Sequence, residues 1–247
     1  MNFSWIILGL FLCLTGPLSM PARAATVRVA VASNFLPAAR ALAKLFKARS
    51  GHDVLLSPGA SGRLYAQIRN GAPFDVFLSA GARRPRKLQE LGLAMAGTRF
   101  TYALGRLVLW SPRPGRVDPA GKILSRGGFS RLAMANPRLA PYGRAARETL
   151  VALGLWRKLE DRIVLGENIG QTLQFVRAGA APLGLVSASL AAGLGGSLWP
   201  VPASLHAPIR QQAVLIHDTA AARAFLAFLR CRAARRKIAA FGYGVPR

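Results

Sequence analysis

Between Val27 and Ser79, three short apolar runs of β type alternate with two stretches of helical periodicity, and this alternation constrains the fold more than any other feature. The runs are Val27-Arg28-Val29-Ala30-Val31-Ala32, Val54-Leu55-Leu56 and Asp75-Val76-Phe77-Leu78-Ser79. Asn34 is predicted to cap the first helix. Pro37 stands in its first turn, and Leu36, Ala39, Leu42, Ala43 and Phe46 follow at helical spacing. Gly59-Ala60-Ser61-Gly62 opens the second helix, which stops at Asn70-Gly71. Strands and helices alternating at this interval imply a parallel α/β sheet and exclude a sandwich. The rhythm resumes with strands at Arg106-Leu107-Val108-Leu109-Trp110, Arg131-Leu132-Ala133-Met134-Ala135, Ile163-Val164-Leu165, Leu183-Gly184-Leu185-Val186 and Gln212-Ala213-Val214-Leu215-Ile216. One last helix is predicted from Thr219 to Ala239. The chain of 247 residues is long enough for two lobes of about 100 to 120 residues each.

Met1 to Ala24 stands apart from this pattern. Ten apolar residues, Trp5 to Leu14, precede Pro17 and the small-x-small sequence Ala22-Arg23-Ala24. That is the layout of a secretory signal peptide cleaved near Ala24, and ten residues are too few to span a bilayer. No Lys or Arg precedes the apolar run. Cleavage would leave Cys231 as the only cysteine, so no internal disulfide can form, and export to the periplasm is expected.

Charge narrows the function classes. Lys and Arg number 34 against nine Asp and Glu, a formal charge of +25. Three histidines and two cysteines cannot build a multi-Cys/His zinc site, and the scattered acids do not suggest a carboxylate cage. No metal cation is therefore expected. Nucleic-acid binding is an alternative: Arg83-Arg84-Pro85-Arg86-Lys87 and the Arg-rich last helix are its best patches. Aromatics interleave with neither, so a solvated basic surface and no nucleic-acid partner are expected. A serine hydrolase using Ser61 is the enzymatic alternative. Gly59-Ala60-Ser61-Gly62 is not G-x-S-x-G, and His52, His206 and His217 form no triad pattern; the chain is not expected to be an enzyme.

Four loops share one design, in which a strand ends, small or polar residues follow and a helix begins. They are Ser33-Asn34, Ala60-Ser61-Gly62, Pro141-Tyr142-Gly143 and Asn168-Ile169-Gly170. A helix N-terminus offers unsatisfied N–H groups and roughly half a positive charge. Four of them facing one cleft would solvate a small dianion without an ionised partner. Each serine or asparagine taken alone also reads as a helix cap.

With their flanks, these loops resemble the molybdate-binding proteins of bacterial ABC importers (the ModA type). The resemblance is carried by Ala32-Ser33-Asn34, Gly59-Ala60-Ser61-Gly62, the run from Asn70 to Ala80, and Gly105-Arg106-Leu107-Val108-Leu109. Asn136-Pro137, Tyr142-Gly143, Glu167-Asn168-Ile169 and Pro182-Leu183-Gly184-Leu185-Val186 extend it over essentially the whole mature chain. It implies a type II periplasmic-binding-protein fold, two α/β lobes joined by a two-crossing hinge. The first lobe would comprise residues 25–101 and 209–247, the second 102–208. The implied ligand is a tetrahedral oxyanion, molybdate and also tungstate, with molybdenum held only as oxyanion and no cofactor. The implied shell is Ser33, Asn34 and Ser61 from one lobe with Tyr142 and Ile169 from the other, Asn34 and Ile169 through their backbone N–H. Some relatives place a tyrosine where this chain has Ser187, a possible further contact. The Tyr142 phenol is expected to supply that hydroxyl instead. Arg63 and Arg144 lie near the anchors and are expected to point into solvent. The implied partner is an ABC permease that receives the anion from a monomeric receptor.

Overall fold

The computed structural model describes residues 24–246, so the expected signal peptide lies outside the described residues except for Ala24. Strands β1 (Thr26–Ala32), β2 (Asp53–Gly59), β3 (Val76–Ser79) and β4 (Phe100–Gly105) lie in a first sheet. Strands β5 (Leu107–Ser111), β6 (Leu132–Ala135), β7 (Ile163–Gly166), β8 (Leu183–Ser187) and β9 (Ser197–Pro200) form a second. The chain then returns, and β10 (Ile209–Leu215) completes the first sheet.

The two sheets share one plan. Their orders are β2-β1-β3-β10-β4 and β7-β6-β8-β5-β9. In each, three parallel strands are followed by an antiparallel one, β10 against β3 and β5 against β8. The chain passes between sheets twice, at Arg106 and again between Pro200 and Ile209. Because β4 pairs with β10 as far as Gly105, the first passage falls beyond Thr101, where the sequence suggested a boundary.

Among the described residues, seven helices of eight residues or more cover the sheets: α1 (Leu36–Ser50), α2 (Ser61–Arg69), α3 (Arg83–Glu90), α4 (Pro141–Ala152), α5 (Ile169–Arg177), α6 (Ala220–Arg230) and α7 (Arg232–Ala240). Strand alternation decides which helix covers which face. Val27, Val29 and Val31 enter a core shared with α1, α6 and α7, whereas Ala30 meets Leu64, Ile68 and Leu88 of α2 and α3. The second sheet does the same with α4 on one face and α5 on the other.

Two local expectations are corrected. The single C-terminal helix is broken at Cys231, whose φ of −70° and ψ of 156° are extended. The break lets Phe225, Leu226 and Leu229 on one segment, and Ala234 and Ile238 on the next, enter the same core. Asn34 is not a cap: it lies in a 3-10 turn, Ser33–Phe35, that precedes α1, and its side chain is turned inward.

Phe225 is fully buried, with its ring centroid 5.2 Å from that of Phe46. Phe225→Ala is expected to cost about 3–5 kcal/mol of stability, read as a lower denaturant midpoint. A loss under about 1 kcal/mol would show that this core collapses around the gap.

Candidate functional site

Strands β1, β2, β6 and β7 each end where a helical turn starts, at Ser33, Ser61, Pro141 and Ile169. The four starts meet in one cleft between the sheets, as the loop design predicts. Ser33, Asn34, Ser61, Tyr142 and Ile169 all line it. The space between the atoms is about 190 Å³ even with its open mouth included, below the roughly 300–1,000 Å³ of clefts that hold drug-sized ligands. The remaining wall is Ala, Gly, Pro and Asn168, so no ionised side chain enters the cleft.

The polar groups here are donors. The backbone amides of Ser61, Tyr142 and Ile169 stand in first helical turns, where no intrahelical acceptor exists. Among the described residues none of the three has another acceptor, although these residues are at most 2% exposed. Buried amides are rarely left unpaired. The serine hydroxyls are oriented the same way. Ser61 Oγ accepts from the Ala80 amide (3.0 Å) and Ser33 Oγ from the Gly170 amide (3.3 Å). Each hydroxyl has spent a lone pair on an amide, so its proton is free for a ligand. Neither serine caps its helix. The cap at the fourth loop is Asn168, whose Oδ1 accepts from the Gln171 amide (3.0 Å).

Contacts across the cleft hold the two halves together. The Ser33–Gly170 bond is one, and the Gly62 amide donating to the Leu139 carbonyl (2.9 Å) is another. Arg84 Nη2 donates to the Arg138 carbonyl (2.7 Å), and Arg63 forms an ion pair with Glu167. Arg63 is thus paired at the rim and not simply solvated, and neither Arg63 nor Arg144 lines the cleft. Gly62 is required: a Cβ there would sit 2.9 Å from the Leu139 carbonyl oxygen.

Behind the cleft lies a buried network that sequence reading missed. Asn34 Nδ2 donates to Gln211 Oε1 (2.9 Å) and to the Tyr243 hydroxyl (3.0 Å), which itself donates to the Asn34 carbonyl (2.7 Å). Gln211 Oε1 also accepts from Tyr102 (3.2 Å), and Gln211 Nε2 donates to the Tyr142 hydroxyl (3.4 Å). The Tyr142 hydroxyl thus accepts from Gln211 near the chain crossing, where a Cβ on Gly105 would lie 2.3 Å from its oxygen, and its own proton, like those of the two serines, has no acceptor among the described residues. Ser187 is fully buried, does not line the cleft, and lies 3.2 Å from Ser189 Oγ. None of the three histidines lines the cleft either, so Ser61 has no general base there.

The matching sequence-family profile is described as bacterial extracellular solute-binding protein and spans residues 27–244. The "Molybdate-binding protein ModA" of Azotobacter vinelandii is 45% identical over 237 residues, covering 93% of this chain and 94% of the relative. That of Rhodobacter capsulatus is 45% identical over 236 residues, covering 94% and 93%. The solved Azotobacter vinelandii periplasmic molybdate-binding protein superimposes with a TM-score of 0.86 at 43% identity, covering 90% of this chain and 100% of that one. The sulfate-binding protein SubI of Mycobacterium tuberculosis, at 14% identity, shares the fold with a TM-score of 0.74, covering 90% of this chain and 87% of that one.

Burial pushes the phenols of Tyr102 and Tyr142 well above the ordinary value near 10, and that of Tyr243 up to about 12. A raised phenol value favours the neutral, folded form, so stability is complete below about pH 10 and is lost as pH climbs toward about 12. Denaturant midpoints measured from neutral pH upward should stay level and then fall in that window. A rise there would show that these hydroxyls ionise more readily folded than unfolded. By sequence profile, close relatives and fold alike, the chain belongs to the bacterial extracellular solute-binding proteins, among the ModA molybdate-binding proteins.

Proposed function

We propose that the cleft binds molybdate through neutral donors: the amides of Asn34, Ser61, Tyr142 and Ile169 and the hydroxyls of Ser33 and Ser61. The protein is the periplasmic substrate-binding component of a molybdate ABC importer and not an enzyme. The observation that carries the site assignment is the convergence of three buried, unpartnered amides and two pre-oriented hydroxyls on a cleft without an ionised group. Such a cleft supplies donors for a tetrahedral dianion and no carboxylate to accept a proton from a monoprotonated one. Tungstate has the same charge and shape, so it belongs to the same ligand class.

The two sheets are the cores of two lobes, residues 25–105 with 209–247 and residues 106–208, which close by a hinge at the two passages. Closure brings Ile169 and Tyr142 to the serines of the first lobe. The closed monomer then delivers the anion to the permease. The Ser33–Gly170 and Gly62–Leu139 bonds join the lobes in this state.

Calorimetric titration of the mature chain with molybdate, tungstate and sulfate tests this reading. One molybdate or tungstate per chain is expected, and absence of saturable binding by either overturns it. Ser61→Ala removes one hydroxyl that donates to a charged oxygen, a loss of about 1.5–3 kcal/mol, or roughly 10- to 150-fold in affinity. The hydroxyl caps no helix, but the buried Ala80 amide loses its acceptor, so the melting temperature should fall by the equivalent of about 1–3 kcal/mol while the chain still folds. Unchanged affinity would remove Ser61 from the shell.

A further inference from the structure

Within the run Arg83-Arg84-Pro85-Arg86-Lys87, the solvated Arg83, Arg86 and Lys87 and the buried Arg84 line a second, open cavity outside the oxyanion cleft. With its open mouth included, this hollow measures about 790 Å³ between the atoms, four times the cleft counted the same way. Arg83, Arg84, Arg86 and Lys87 face it from α3, and Arg138 faces it from the loop before α4. Glu90 is the single carboxylate in its wall, and it is already engaged by Arg86 (3.5 Å) and Lys87 (3.4 Å).

Arg84 is the unusual member. Its side chain is buried at 9% exposure, its Nη2 donates to a carbonyl, and among the described residues no acid pairs with it. Burial first, and then the cations of Arg83 and Arg144, bring its guanidinium down to about 10. It stays charged at neutral pH. A desolvated cation set among cations opposes folding unless something supplies negative charge. A solvated surface run would not bury one of its arginines.

We propose that this cavity is a second anion site, for a small polyanion bearing two or more phosphoryl groups. Guanidinium forks match phosphoryl oxygens two at a time, and several such groups are needed to engage five cations. The concave wall favours a compact ligand over an extended strand. Arg138 belongs to the chain between the two passages and Arg83 to Lys87 do not, so a bound polyanion bridges both halves. Resting on the two-lobe reading above, such bridging favours the closed state and tightens molybdate binding by the same factor that molybdate tightens the polyanion.

Titration of inorganic triphosphate into the mature chain, with and without saturating molybdate, tests the site. One triphosphate per chain is expected, tighter when molybdate is present. The exposed pair Arg83→Gln/Arg86→Gln should weaken it by at least about tenfold, with molybdate affinity in the absence of triphosphate unchanged. Arg232→Gln/Arg236→Gln, an equal charge loss on α7, should leave triphosphate binding as it was. No saturable heat, or equal weakening by both pairs, overturns the proposal. Tighter binding of hexa-aspartate than of triphosphate also overturns it and assigns the cavity to an acidic protein segment. Triphosphate binding without any molybdate binding would sink the oxyanion reading and the coupling alone.

Discussion

A dianion stripped of its water needs dipoles already aimed at it, and in this molecule those dipoles are backbone amides at helix starts. An amide cannot be aimed by choosing a rotamer; it is aimed by where its helix begins. The requirement therefore reaches back to topology. In a sheet of parallel strands every crossover helix starts beyond a carboxyl strand end, so the helix starts gather along one edge. Two such sheets with these edges facing each other bring the starts at Ser33, Ser61, Pro141 and Ile169 to one point. The shared strand plan of the sheets is what makes the convergence possible.

Close convergence leaves little room for side chains. At Gly143, in the first turn of α4, a Cβ would stand 2.1 Å from the Ala135 carbonyl oxygen, so that turn lies against the end of β6. At Gly62 the same crowding comes from the opposite half of the molecule. Behind the cleft, Gln211 touches Asn34, Tyr102 and Tyr142 at once. Asn34 and Tyr102 come from the first sheet's half and Tyr142 from the second's. This side chain on the returning strand therefore links the turn at Asn34 to the start of α4. In surroundings without water such a network has few alternative pairings, which fixes the turn beside the cleft.

Much of this was legible before any coordinates. The short apolar β-type runs and their helical spacers predicted the sheets, because both patterns are local and most turns between them carry Gly, Asn or Pro. The loops at Ser61, Tyr142 and Ile169 were legible for the same reason. What escaped was whatever depends on partners distant in sequence. Asn34 reads as a cap because nothing nearby reveals Gln211 or Tyr243, 177 and 209 residues away. The bond from Gln211 to the Tyr142 hydroxyl escaped because a sequence gives the position of a hydroxyl but not the direction of its ring. Cys231 escaped because the residues around it keep helical spacing on both sides of the break. Arg84 reads as surface because its neighbours in the run are surface.

Attraction and selection are also separated in space. A chain with a formal charge of +25 draws anions of every kind, and a field of this sign accelerates their encounter without distinguishing them. Had an arginine lined the cleft, its long, mobile side chain would have followed phosphate, sulfate or carboxylate alike. The cleft instead presents donors fixed to the backbone, with Arg63 tied to Glu167 at the rim. Fixed donors reward only the anion whose oxygens fall where they point, and any other leaves some of them buried and unpaired. Positive charge kept outside and neutral dipoles kept inside let one molecule gather anions broadly and retain few of them.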